Sequence, residues 1–296
     1  MCPDTRTENT AFSQGLALGM IPSVRSLNGS QTHRTGPAAR RMFPTVGENA
    51  AVLALPNWYR IDRDQRRYGA LSEAFGSLRT SILLNPVGPQ VRSLLVTSSQ
   101  PGEGKTTVTA NLAISLAQLR RRVLLIDADV RRPCLHRLFG VPNRAGLTDF
   151  LVEDWGANGN GNGGGAGWGD LLQRNVSAGL DLLTSGTSVE NPTELLSSPR
   201  MTELLSEALL SYDLVLFDSP PLFVNVADTR ILTPIVDGTI LVVRSGMTQR
   251  DVVQRALAQC PNVIGIVLND VNIGEFPAYY RSYGAEAHSS NYKGDV

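Results

Sequence analysis

The 296 residues carry 27 lysines and arginines against 27 aspartates and glutamates, so the overall charge gives no reason to expect nucleic acid or an anionic membrane as the main partner. That length accommodates one core of ordinary domain size plus tails, since domains of roughly 100 to 200 residues are typical. Cys2, Cys134 and Cys260 are scattered without CxxC spacing, which argues against a disulfide framework and a zinc site and fits a reducing cytosol, and no run of about 18 apolar residues marks a membrane span.

Residues 1–57 are rich in Ser, Thr, Gly, Pro and Arg, hold no sustained helical or strand period, and read as a disordered tail. Asp4 and Glu8 stand where a secretory leader would be basic and then apolar. Residues 58–275 read as a single α/β domain. Its first element, LSEAFGSLRTSILL (71–84), sets Leu71, Phe75, Leu78 and Ile82 on one helical face, with Ser72 in the N-cap position. The rhythm then alternates: RSLLVTS as a strand, TTVTANLAISLAQL as a helix, and RVLLIDAD as a second strand. Further strands are expected at 181–185, 213–218, 238–243 and 262–270, with helices near 193–210 and 248–258. Unbroken apolar runs such as LVLF call for burial on both faces, hence a mostly parallel sheet covered by helices on both sides. The Gly-rich stretch 156–169 cannot bury a core and reads as a flexible surface loop, and 276–296 reads as a flexible tail.

The chemistry is concentrated in SQPGEGKTT, between a strand ending at Ser98 and a helix that follows at once. Gly104, Lys105 and Thr106 match the end of the Walker A pattern, in the strand–loop–helix context that supports it. Backbone N–H groups of Gly102, Glu103, Gly104, Lys105, Thr106 and Thr107 can converge on phosphate oxygens at the positive end of the helix. Lys105 would span the β and γ phosphates of ATP, and the Thr106 hydroxyl would ligate Mg²⁺. Ser99 replaces the first glycine of the pattern. Asp127, Asp129 and Asp218 each lie at the end of an expected strand, so three carboxylates are expected at the carboxyl edge of the sheet, where open α/β proteins bind ligands. Mg²⁺ takes hard oxygen donors of that kind. Asp129 and Asp218 are read as its holders, and Asp127 as the acceptor of a proton during phosphoryl transfer to a hydroxyl.

Taken in order, TSSQPGEGKTT, VLLIDADVRRP, NPTELL and LVLFDSPPLFVNVAD resemble the bacterial tyrosine autokinases that regulate capsule and exopolysaccharide polymerisation and export, over about Glu73 to Tyr283. The resemblance implies a P-loop NTPase fold and ATP-dependent protein-tyrosine kinase activity. It places Lys105 and Thr106 in Walker A, Asp127 and Asp129 in a second aspartate motif, and Asp218 in Walker B. It implies autophosphorylation between subunits of a C-terminal tyrosine cluster, here Tyr279, Tyr280, Tyr283 and Tyr292. It further implies a homo-oligomer, recruitment to the inner membrane by a transmembrane chain-length-determinant activator, and room for a cognate tyrosine phosphatase. Nucleic acid is not among the implied partners. The family's E-x-x-R-x-x-R ring helix is matched at Glu73 and Arg79 but interrupted by Gly76. Asn269, at the end of a late strand, corresponds to a position that reaches the adenine base in related ATPases.

Two other readings stay open at this level. One is a partition- or septum-type ATPase switch, which resembles the chain in fold but carries a cross-dimer lysine where this sequence has Gln100. The other is a nucleotide-binding scaffold of an export complex. His136 reads as helix surface, Cys134 as a passive small residue, and Arg131 and Arg132 as contacts for phosphate, partner or solvent.

Overall fold

The computed structural model describes residues 17–22, 65–84, 91–152, 167–224 and 226–271. Its centre is a set of short strands in which every residue is buried: β2 (Ser93–Ser98), β3 (Val123–Asp127) and β6 (Leu214–Asp218). Alternate side chains point to opposite faces, so an all-apolar strand is stable only when both faces are covered. One face takes Leu94, Val96, Val123, Leu125, Leu214 and Leu216 against α1 (Gln65–Leu83) and α2 (Lys105–Ala117). The opposite face takes Leu95, Leu124, Ile126, Val215 and Phe217. It packs against α4 (Leu147–Leu151), α5 (Pro192–Leu196), α6 (Pro199–Ser211) and α7 (Val226–Leu232).

The sheet has eight strands in the order β1-β8-β7-β2-β6-β3-β5-β4, completed by β1 (Ala17–Pro22), β4 (Gln173–Ser177), β5 (Leu180–Leu183), β7 (Gly238–Arg244) and β8 (Val263–Val271). All pairings are parallel except the β4–β5 hairpin. The short α3 (Leu135–Phe139) follows β3, and α8 (Arg250–Gln259) connects β7 to β8. Because parallel strands share one direction, the loops after β2, β3 and β6 all open on one edge.

The fold expected from the sequence is the one observed, with local differences that include the unexpected antiparallel strand β4. The first helix starts at Gln65, so Ser72 lies inside it and cannot be its N-cap; Leu71, Phe75, Leu78 and Ile82 still line the packed face. The helix expected over 193–210 is two helices, because Ser198 precedes Pro199 and takes an extended ψ of 150° that the α region cannot accommodate. Residues 17–22 form an edge strand beside β8 with Met20 and Ile21 buried, although the segment carries no strand period of its own. Tertiary pairing, not local propensity, makes that strand. The Gly-rich stretch falls mostly outside the described residues, but its end is anchored: Trp168 is buried in a 3-10 turn, and its Nε1 donates to Glu207 Oε2 at 2.7 Å.

In the α1 segment proposed for assembly, Arg79 Nη1 donates to the Ser115 carbonyl at 2.6 Å and so ties α1 to α2 within the chain. Among the described residues no helix is long and apolar enough to cross a membrane.

Candidate functional site

The loop between β2 and α2 is shaped by two left-handed glycines, Gly102 (φ 83°) and Gly104 (φ 90°). Gly104 is also the N-cap of α2, and a Cβ there would lie 2.1 Å from Asn269 Nδ2, so a side chain would displace the Asn269 amide. The positive φ favours glycine here, and the close approach of Asn269 adds to that preference.

Glu103, between these glycines, turns its carboxylate inward and is buried. Ser99 Oγ lies 2.9 and 3.0 Å from its two oxygens, the Gln100 N–H donates to it at 2.6 Å, and Thr248 Oγ1 donates from the β7–α8 loop. The Glu103 carbonyl accepts from Asn269 Nδ2 at 2.9 Å. Ser99, the apparent defect in the Walker pattern, is thus a buried donor that holds the loop from within. Thr248 carried no signal in the sequence, because its partner lies 145 residues away.

Lys105 opens α2, and its ammonium lies 2.9 Å from Asp129 Oδ2 and 3.6 Å from Asp218 Oδ1. It also donates to Thr106 Oγ1 at 3.1 Å. Burial opposes the charge on Lys105, but Asp218 and Asp129 more than offset it and hold the lysine above its ordinary pKa. Asp127 and Asp218 are register partners across the β3–β6 pair, so strand pairing alone brings the two carboxylates together. Burial and the neighbouring Asp218 push Asp127 up to about 8. Burial also raises Asp218, although Lys105 pulls against it. Asp127 Oδ2 accepts from the N–H groups of Cys134 (3.1 Å) and Leu135 (3.0 Å) at the start of α3. Its Oδ1, like Asp218 Oδ2, is buried with no hydrogen-bond partner among the described residues.

The residues expected to act together do meet. Gly102, Glu103, Gly104, Lys105, Thr106 and Thr107 form the loop and first turn; Asp129 and Asp218 flank Lys105; and Asn269 closes over Gly104. Tyr279, Tyr280, Tyr283 and Tyr292 lie outside the described residues. Cys134 and His136 belong to the α3 start, and His136 is held below its usual pKa by burial and by Arg137. Arg131, left open between phosphate, partner and solvent, is paired with Asp228, a buried residue that sequence reading did not single out.

A divalent cation fits this donor set. No group of three or more His, Cys, Asp or Glu side chains among the described residues makes an all-protein cage. Mg²⁺ is commonly held by one or two carboxylates together with phosphate oxygens and water, which is what Thr106, Asp129 and Asp218, with its orphaned Oδ2, offer.

The CobQ/CobB/MinD/ParA nucleotide binding domain family matches residues 94–287. The tyrosine-protein kinase YwqD of Bacillus subtilis is 39% identical over 212 residues, which are 70% of this chain and 84% of that protein. The tyrosine-protein kinase Etk of Escherichia coli is 36% identical over 203 residues, covering 67% of this chain but only 26% of that longer protein. The solved kinase domain of the E. coli enzyme superposes with a TM-score of 0.67 at 30% identity, over 88% of this chain and 92% of that one.

Glu103→Ala removes the acceptor shared by three donors and should weaken binding of a fluorescent ATP analogue by about tenfold, roughly 1.4 kcal/mol, although the carboxylate faces away from the loop's open side. A second prediction follows from Asp127. Its folded pKa lies near 8 and its unfolded value near 3.8, so between those limits the native chain holds a proton that the unfolded chain has released. Stability therefore falls as pH rises across that window, and Asp127→Asn should flatten the slope in urea titrations run from pH 5 to 8.5.

Proposed function

The chain belongs to the bacterial tyrosine-protein kinases with a CobQ/CobB/MinD/ParA-type nucleotide-binding domain, and on that premise we propose that phosphoryl transfer from Mg·ATP to tyrosine takes place around Lys105. The observation that carries this assignment is the Lys105 ammonium held between Asp129 and Asp218 at the mouth of a glycine-shaped loop.

The loop N–H groups from Gly102 to Thr107 bind the phosphates, and Lys105 neutralises negative charge on the β and γ groups. Thr106, Asp129 and Asp218 hold Mg²⁺, which when bound withdraws charge from the phosphoryl oxygens. Asp127 accepts the phenolic proton: burial and Asp218 raise its carboxyl to about 8 in the free chain, and a cation bound among the neighbouring carboxylates would lower that value and leave Asp127 ionised at neutral pH. Its Oδ1 is the oxygen available for this, because Oδ2 is engaged with the start of α3. Asn269, which closes over Gly104 from β8, borders the side where the base would lie.

The acceptors on this reading are Tyr279, Tyr280, Tyr283 and Tyr292, phosphorylated between copies of the chain in a homo-oligomer. The kinase works at the inner face of the membrane through a transmembrane chain-length-determinant activator, and its phosphorylation state regulates exopolysaccharide polymerisation and export.

The test is to incubate the purified protein with Mg·ATP, with and without the cytoplasmic tail of such an activator, and to map phosphate by mass spectrometry. Phosphotyrosine in the C-terminal cluster is expected, abolished in Lys105→Met; Asp127→Asn should lose transfer by about 100-fold or more while still binding nucleotide. Nucleotide binding without phosphotyrosine under either condition would sink the assignment, and full transfer by Asp127→Asn would remove its role as proton acceptor.

A further inference from the structure

Three of the stretches that carry the resemblance, VLLIDADVRRP, NPTELL and LVLFDSPPLFVNVAD, meet beside the lysine site through one side chain each. Arg131 Nε donates to Asp228 Oδ2 at 2.6 Å, and its Nη2 reaches Asp228 Oδ1 at 3.4 Å and Thr193 Oγ1 at 2.9 Å. The Thr193 hydroxyl donates to Asp228 Oδ1 at 2.6 Å. Asp228 is completely buried, and both of its oxygens accept hydrogen bonds from Arg131 or Thr193, so it is an internal anchor. A buried carboxylate of this kind is tolerated only with its partner in place.

What the anchor connects gives it meaning. On one side is the turn of Asp129 to Arg132, closed by the Arg132 N–H to the Asp129 carbonyl (3.0 Å) and to Asp129 Oδ1 (3.2 Å). That turn is pinned twice: Asp129 Oδ2 touches Lys105, and Arg131 touches Asp228. On the other side is α7, which is tied to the loop following Asp218. Thr229 Oγ1 on α7 donates to the Pro220 carbonyl at 2.8 Å, and Thr97 of β2 donates to the same carbonyl at 2.9 Å. The chain of contacts therefore runs from Asp129 through Arg131, Asp228 and Pro220 to the loop that begins at Asp218. It adds a side-chain tie to the backbone link made nearby by the Ala128 N–H to the Asp218 carbonyl at 2.9 Å.

We propose that Arg131, Asp228 and Thr193 are positioning residues that fix the separation between the Asp129 turn and the Asp218 loop, and so present both carboxylates to the divalent cation. The proposal rests on the reading of Asp129 and Asp218 as the cation-side carboxylates. On this reading the three residues act through Asp129 and the Asp218 loop and not on the nucleotide itself. Their loss should change how the cation is held before it changes how metal-free nucleotide binds.

Full-length Asp228→Asn, Arg131→Lys and Thr193→Val are titrated with a fluorescent ATP analogue, first without divalent cation and then across a Mg²⁺ series, beside Asp129→Asn. Metal-free affinity should stay at the wild-type level in the Asp228, Arg131 and Thr193 variants. The half-saturating Mg²⁺ concentration should rise by about tenfold or more in Asp228→Asn and by less in Arg131→Lys and Thr193→Val. Asp228→Asn should add nothing further in an Asp129→Asn background, because both changes remove the same interaction. A folded Asp228→Asn with a wild-type Mg²⁺ series overturns the proposal. If that variant does not fold, wild-type series in both Arg131→Lys and Thr193→Val overturn it instead. A wild-type series in Asp129→Asn removes the underlying reading of Asp129, whatever the Asp228 variants show.

Discussion

The contact on which the site depends is the Lys105 ammonium lodged between Asp129 and Asp218. Parallel strand pairing forces Asp127 and Asp218 to end side by side, and the turn after β3 adds a third carboxylate. Three buried negative groups so close together cannot all be ionised without compensation. The chain answers in two ways: the lysine sits among them, and Asp127 rises to a pKa near 8, so that at neutral pH it mostly keeps its proton. The same cluster, relieved of charge by a divalent cation, is a place where a phosphoryl group can be held and a proton accepted.

That arrangement is maintained from several directions. Strands buried on both faces fix β2, β3 and β6 as a rigid floor. Above it, Glu103 holds the glycine loop by an internal carboxylate, and Asn269 holds it from β8. Neither contact is needed to form a sheet. Both restrict a loop whose glycines would otherwise leave it mobile, which favours a pre-organised phosphate cradle. The Arg131–Asp228 pair serves the neighbouring turn in the same way.

Much of this was legible in the sequence, for reasons that differ by element. LLVTS, VLLID and LVLFD announced buried parallel strands because apolar residues without alternation have no solvent face. Gly104, Lys105, Thr106 and the three aspartates were legible because their residue types are tied closely to phosphate and cation chemistry. Asp228, Thr248 and the role of Ser99 were not, because each acts through a partner brought near only by the fold. A buried aspartate paired to a distant arginine looks in one dimension like any polar residue at the start of a helix. The strand at 17–22 was hidden for a related reason: six residues gain their structure from β8 and α1 rather than from their own pattern.

The central claim is that the lysine and the strand-end carboxylates form one phosphoryl-transfer centre. A crystal structure of the full chain with Mg²⁺ and a non-hydrolysable ATP analogue tests it most directly. The account predicts Lys105 Nζ within hydrogen-bonding distance of β and γ phosphate oxygens, with Asp129 and Asp218 around the cation directly or through water. Phosphates bound away from the 102–107 loop, or Lys105 still locked between the two carboxylates with the nucleotide in place, would contradict it.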